Sequence, residues 1–520
     1  MSKRLALAIV VACVACAPAW AQTETAKILP EVEAQSLGRL LALNGPTLLV
    51  PSFFGVYVYR YDGAGWELET FLDPSEASVG DVALSRAGDL AVIGVPYDDV
   101  GGFRVGAAYV YVRTEGGPSG GWELEAALVP SEADVESYLG QRVAIGGEPG
   151  AEVVALGGYL EGDDPDDRRS AAHVFRRDPS TGAWADEGPL WAEGATEDDL
   201  FGGSIAAVGD LVLVGAARSD WECSASQGPC TYGAAYLFRR TEGAGGAAVW
   251  EEETRFLSIF DYSVSPPVEG AGFFGEGVAL SAAEGLDGVE ALAAVGSSGL
   301  VLTFERRGGA WVATDTLRTD TGSNSDLNFG LALDSSGTRL VVGGAGWDGP
   351  DTFETNVGRV QVFEREPDGR WRFAGARYAS DGEAGDGLGT DVALSGEVIA
   401  AGAPYDDNEV GNGAGAVYVF GAPVVSAEPG AEPESGAALS VWPNPARHAA
   451  AVALVLPVSS EVRLALFDVL GRRLVVLHDG PLGAGKHRLR FDAACLPAGV
   501  YLVEATTGDE RLTGRLTVVR

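Results

Sequence analysis

Apolar residues along this chain fall in short runs, alternate with polar residues, and stop at Gly, Asp or Pro. Such runs predict β-strands, and no helical period competes with them. One unit recurs. It opens on a Gly before an alternating run: Gly38 (LGRLLAL), Gly80 (VGDVALS), Gly140 (LGQRVAI), Gly202 (FGGSIAAV), Gly275 (FGEGVALS), Gly330 (FGLALD) and Gly389 (LGTDVALS). A second run follows a short turn, as in LAVIGVP, LVLVGAA, LVVGGAG and VIAAGAP. The third is GAAYVYV at 106–112, SAAHVF at 170–175, GAAYLF at 233–238 or GAVYVF at 415–420. A tight turn then leads to a fourth run opened by Trp66, Trp122, Trp184, Trp250, Trp311 or Trp371.

Four antiparallel strands repeated seven times predict an all-β, seven-bladed β-propeller over residues 22–420, because radially arranged blades leave only short, protected edges. Seven opening glycines meet only six tryptophans, and the seventh unit stops at Phe420 without a fourth strand. Lys27-Ile28-Leu29-Pro30 parallels Thr70-Phe71-Leu72-Asp73-Pro74, so the N-terminal segment is expected to supply that strand and close the ring. Residues 421–438 (GAPVVSAEPGAEPESGAA) show no strand pattern and read as an extended linker. Beyond them, alternating runs with Gly-rich turns over 439–520 predict an immunoglobulin-like β-sandwich.

Composition adds compartment and charge. Lys3 and Arg4, the apolar run Leu5 to Ala17 and Ala19-Trp20-Ala21 form a secretory leader, residues 1–21. Lipoprotein processing at Cys13 is the alternative. No later run is apolar and long enough to predict a transmembrane segment. Export makes a disulfide the natural reading of Cys223 and Cys230 in CSASQGPC, and Cys495 reads as a small buried residue. The net charge of −38 is uneven: residues 439–520 carry ten Lys/Arg against seven Asp/Glu, which leaves −43 on residues 22–438. Such a field repels nucleic acid and anionic membranes and favours cations or basic partners, and it also serves solubility.

With four strands per unit, the loops between strands two and three share one face with the links between units. The long acidic segments all belong to that face, where a ligand site is expected. Asp98-Asp99 and Asp406-Asp407-Asn408 stand in the same PYDD context and are candidate calcium ligands, since clustered carboxylates in Gly-containing turns can supply oxygens. Asp163, Asp164, Asp166 and Asp167 form a third candidate, beside Arg168 and Arg169 that can neutralise it. Trp221 and Trp347 lie outside the repeat register, in long loops, as candidate ligand contacts. The six repeated tryptophans read as inter-blade core. His173 occupies the strand position of Tyr109, Tyr236 and Tyr418, a structural place, and no catalytic set is identified.

The strings FG, GAP and GAAYVF resemble FG-GAP-type repeats, the propeller repeats of the integrin α head and of many bacterial surface proteins, over roughly residues 27–420. The DxDxDG calcium loop of integrin-like blades is missing, so the resemblance does not carry calcium binding with it. Residues 439–520 resemble the type A C-terminal sorting domain of the type IX secretion system of Gram-negative bacteria. The matching elements are Pro443-Asn444-Pro445, Phe467-Asp468 with Leu470-Gly471-Arg472, and Leu496-Pro497-Ala498-Gly499-Val500-Tyr501. Cys495 is a departure, standing where a Ser or similar small residue is expected. The resemblance implies passage through the periplasm, recognition by the outer-membrane translocon, and removal of the domain with release or surface attachment. The expected function is a secreted or surface-displayed binding or adhesion module for a carbohydrate or protein. A secreted carbohydrate-active enzyme and a structural envelope component are the alternatives.

Overall fold

The computed structural model describes residues 24–30, 36–100, 104–114, 121–131, 137–160, 169–192, 199–219, 233–242, 248–257, 273–297, 299–318, 330–349, 355–423, 438–442, 449–456, 459–468, 472–482, 485–492, 496–507 and 510–518. The protein is all-β: no α-helix occurs among these residues, and none therefore is long and apolar enough to cross a membrane. Up to Phe420 the strands form four-stranded antiparallel sheets, consistent with propeller blades. Six sheets use consecutive strands, within residues 42–72, 82–128, 142–190, 201–257, 277–318 and 331–377. A further sheet joins Val392–Ser395, Val398–Ala403 and Ala416–Phe420 to an outer strand from the other end of the chain, Glu24–Ile28. There Lys27 pairs with Tyr418 and Ile28 with Val417, which is the strand exchange expected from the sequence. The Thr25 hydroxyl reinforces it, donating to the carbonyls of Val419 (3.1 Å) and Gly421 (2.6 Å).

Second strands such as Leu90–Val95 are buried on both faces, which explains their unbroken apolar sequence. Their side chains fill cores shared between neighbouring sheets. Val92 and Val110 meet Val143, Leu156 and Phe175 of the following sheet. Val398, Ala400 and Val419 of the last sheet meet Leu43, Leu48 and Tyr57 of the first in the same way. Nearer the first strands the approach is closer still. Gly38 has φ +91°, and a methyl group on Gly402 would overlap its carbonyl oxygen, so this junction accepts only backbone. The same pairing recurs at Gly94/Gly140, Gly157/Gly202, Gly215/Gly275 and Gly343/Gly389.

At the outer rim the tryptophans do more than fill space. The Trp122 indole N–H donates to Glu69 of the preceding sheet (3.3 Å), and Arg113 donates to the same carboxylate (2.8 Å). Trp184 and Arg177 hold Glu125 (2.8 Å each), Trp250 and Arg240 hold Glu187 (2.9 and 2.8 Å), and Trp311 and Arg306 hold Glu253 (2.8 Å each). Each glutamate stands three residues after its own sheet's tryptophan. Thr314 breaks the series, and there Glu305 receives Arg365 while Asp315 accepts the Trp371 backbone N–H (2.9 Å).

Residues 438–518 form two further sheets. Ala438–Trp442, Ala449–Leu456 and Gly485–Asp492 make one; Ser460–Asp468, Arg473–Leu482, Gly499–Thr507 and Glu510–Val518 make the other. Val452, Leu454 and Leu456 of the first share a core with Leu464, Leu466, Val503 and Leu516 of the second.

The glycine junction is testable. Gly402→Ala must separate the first and last sheets and is expected to lower stability by about 1–3 kcal/mol, the usual range for an overpacked interior. Gly65→Ala, where an added methyl meets nothing within 4 Å, is expected to stay within about 0.5 kcal/mol of wild type. Denaturant unfolding of both variants checks the contrast; equal midpoints would remove the constraint.

Candidate functional site

The two PYDD loops follow second strands and are built alike. The Asp98 N–H donates to the Val95 carbonyl (3.2 Å), and the Asp98 carbonyl accepts the Gly106 N–H (3.1 Å). Asp406 makes the same pair with Ala403 and Gly415 (3.2 and 3.1 Å), and Ser219 makes it with Ala216 and Gly233 (3.1 and 3.0 Å). Trp347 makes it too, with Gly344 and Gly358 (3.0 Å each). Trp347 is therefore in register, in the slot of Asp98 and Asp406, contrary to the expectation from spacing. Gln361 replaces the tyrosine of the third strand in that sheet, so no hydroxyl there calls for an aspartate. The indole instead packs at a tilt against Tyr378 (5.2 Å) and lies under the Arg359 guanidinium (4.9 Å).

In both PYDD loops the first aspartate is buried and points inward. Asp98 accepts the Val100 N–H (2.7 Å) and the Tyr109 hydroxyl (2.8 Å). Burial, with Asp98 alongside, pushes the Tyr109 phenol up to about 12. Asp406 accepts the Tyr418 hydroxyl (2.6 Å), the Asn408 side-chain N–H (3.1 Å) and Lys27 Nζ (3.0 Å). Lys27 also bonds Asp381 (2.8 Å) and lies over the Tyr418 ring (5.1 Å). The second aspartates hold loop backbone: Asp99 accepts the Arg104 N–H (2.7 Å), and Asp407 accepts the Gly413 N–H (2.6 Å). This donor set does not fit calcium. The inward oxygens face hydroxyl, N–H and ammonium donors, and Lys27 already serves as the cation at Asp406. Among the described residues no group of three or more His, Cys, Asp or Glu is placed to hold a metal.

What these loops turn outward is aromatic. Tyr97 and Tyr405 are each about half exposed, and Phe53 and Phe54, in the equivalent loop of the intervening sheet, are 62% and 65% exposed. Sequence reading fixed on the carboxylates and passed over the tyrosines before them, although the P-Y-D-D string carries both. Trp221, Cys223, Cys230 and Asp163 to Asp167 lie outside the described residues, as do Pro443, Asn444, Pro445, Gly471 and Cys495. Leu496 packs against the tail core. Pro497 accepts the Tyr501 hydroxyl (2.5 Å), which fixes the turn before the strand that begins at Gly499.

His173 is fully buried, its Nε2 2.5 Å from Asp186 Oδ1. Burial raises the Asp186 carboxyl, but Ser131 and His173 outweigh it and hold it at about 2. Asp391 is displaced the other way. It accepts the Leu41 N–H of the first sheet (2.7 Å), and burial with the nearby charge of Asp81 pushes it up to about 7 against the Leu41 and Val392 N–H groups and Arg142. Asp81 reaches in turn to the Val143 N–H of the third sheet (3.0 Å), and burial raises it as well.

Residues 184–238 and 371–420 match the FG-GAP repeat, and residues 440–519 match the secretion system C-terminal sorting domain. No curated protein matches the chain significantly. Among solved structures, a chain in a crystal structure of the mitotic checkpoint complex is similar at 12% identity and a TM-score of 0.43, over 80% of this chain and 98% of that one.

Two measurements follow from the geometry. Thermal unfolding in calcium and in EDTA at matched ionic strength is expected to give curves within about a degree of each other; a calcium-selective rise abolished by Asp406→Ala would restore the metal reading. The second concerns pH. Between about pH 4, where an unfolded aspartate ionises, and about 7, folded Asp391 keeps a proton that the unfolded chain has lost, so stability falls as pH rises. Asp391→Asn keeps an acceptor for Leu41. Its stability relative to wild type should be near zero at pH 4 and grow by roughly 2–4 kcal/mol by pH 8; a pH-independent difference would refute this.

Proposed function

We propose that this chain, which carries FG-GAP repeats and a secretion system C-terminal sorting domain, is an exported binding protein displayed on or released from the outer surface of a Gram-negative bacterium. Its parts are a leader (1–21), a seven-bladed propeller closed by its N-terminal strand (22–420), a linker (421–438) and an immunoglobulin-like sorting domain (439–520). The sorting-domain match carries the reading: it implies interaction with the type IX secretion machinery and supports secretion or an outer-surface location. The closed propeller is supported by shared cores between successive sheets and between the last sheet and the first. Binding, to a carbohydrate or protein, is assigned to the loop face. There a scaffold of inward aspartates holds Tyr97 and Tyr405 outward on either side of Phe53 and Phe54, and amphipathic rings are efficient contact groups. Acidity makes nucleic acid and anionic polymers poor ligands.

Export is tested with the full chain and a chain ending at residue 438, expressed in a bacterium that has a type IX system. The full chain should reach the medium or cell surface, and the truncated chain should stay in the periplasm. Equal export of both would overturn the sorting role.

A further inference from the structure

In the tail, the four-stranded sheet buries one face against its partner sheet and, among the described residues, leaves side chains of the other exposed. On the strand Gly499–Thr507 the alternation is strict: Tyr501, Val503 and Ala505 are buried, whereas Val500 and Leu502 are 41% and 37% exposed. Cross-strand register carries this outer face across the sheet. Leu502 pairs with Phe467 on one side and Arg515 on the other, and Phe467 pairs with Arg473, so one row reads Arg473, Phe467, Leu502, Arg515. Val500 extends the apolar strip along its own strand. Val476, on the same strand as Arg473, is also exposed. An antiparallel sheet with a solvated face ordinarily turns polar residues outward. Here the two central strands put Phe467, Val500 and Leu502 there, with an arginine on each edge strand, and the face turns polar only at Glu504, which Arg511 already pairs.

We propose that this arginine-bordered apolar strip is the surface by which the tail docks on the outer-membrane secretion machinery, against a partner patch that is apolar at its centre and carboxylate-bearing at its rim. The proposal rests on the sorting role given above. That role requires a protein partner for this domain, and an apolar centre with a charged rim is the anatomy of a specific protein interface. Charge sets the polarity of the partner: the tail is net +3, and both row ends are guanidinium groups, which favour carboxylates in bidentate geometry. The chain's own residues 22–438 are also acidic, at −43, and the experiment separates the two occupants.

Full-length chains bearing Leu502→Glu, Leu502→Ser or Thr506→Glu are expressed in a bacterium with a type IX system, beside wild type and the chain ending at 438. Thr506 is exposed on the same strand but beyond the apolar strip. Periplasmic and external fractions are quantified, and thermal unfolding of each purified chain is recorded. The expected result is a loss of export of roughly tenfold or more for both Leu502 variants, as for a central interface anchor, with Thr506→Glu exported like wild type and unfolding unchanged. Normal export of both Leu502 variants, while the chain ending at 438 is retained, overturns the docking face and leaves the sorting role standing. Normal export with a lowered unfolding temperature also overturns it, assigning the strip to a contact within the chain. Export of the chain ending at 438 removes the sorting role itself.

Discussion

The contact on which residues 24–420 depend is backbone against backbone at the junctions between sheets. Neighbouring sheets meet in wedge-shaped interfaces, backbone against backbone near their first strands and through large side chains near their fourth. The side chains follow that wedge. Gly402 lies against Gly38 with no room for a methyl group, Val398, Ala400 and Leu48 fill the middle, and Tyr57, Tyr59 and Trp66 lie farther out. A larger residue on the inside would splay the interface along its whole length, because packed interiors transmit strain rather than absorb it. The repeating glycines therefore have a steric meaning distinct from the turns for which glycine is usually chosen.

At the wide end of the wedge, chemistry replaces sterics. A tryptophan large enough to fill the gap brings an indole N–H that needs an acceptor once water is excluded. The glutamate of the preceding sheet supplies it, and an arginine on the neighbouring third strand compensates the carboxylate, so the three groups satisfy one another. Burial raises Glu253, yet Arg239, Arg306 and Trp311 bring it below its ordinary range. Such clasps give a strongly acidic chain a way to spend part of its negative charge holding sheets together. Where Thr314 removes the acceptor, Glu305 takes the arginine from a different strand and, among the described residues, the Trp371 indole N–H is left without a hydrogen-bond partner.

The strand pattern, the outer strand from the N-terminal end and the inter-sheet place of the tryptophans were all legible, because each follows from local alternation or from counting units. The clasps were not, although Trp-x-x-Glu stands four times in the sequence: a spacing of three on one strand says nothing until the neighbouring sheet brings its own tryptophan alongside. The PYDD loops show the opposite failure. Their acidity was visible, but whether Asp98 and Asp406 face solvent or the interior depends on Tyr109 and Tyr418, eleven and twelve residues later, whose hydroxyls draw the carboxylates in. Trp347 looked irregular for the same reason: its register is set by backbone bonds to Gly344 and Gly358, which side-chain identity does not disclose.

The sheet that borrows its outer strand differs from the rest in kind. Six sheets form from neighbouring segments, so their pairing closes only short loops. The remaining one must bring Thr25 to Gly421 across 396 residues, an entropic cost of about 5 kcal/mol beyond the constant term. Four residue pairs of backbone alone are a thin return on that. The strand does more: Lys27 reaches two aspartates from different segments, the Thr25 hydroxyl spans two carbonyls, and Ile28 enters the core between the first and last sheets. Each contact adds to the backbone pairing and offsets part of that cost. Long-range pairing of this sort slows folding but makes the result cooperative, since releasing Glu24–Ile28 exposes the junction of the first and last sheets at the same time. Tyr405 rides on a loop whose Asp406 is tied through Lys27 to that same strand, so the exposed ring is held by contacts made at the far end of the chain.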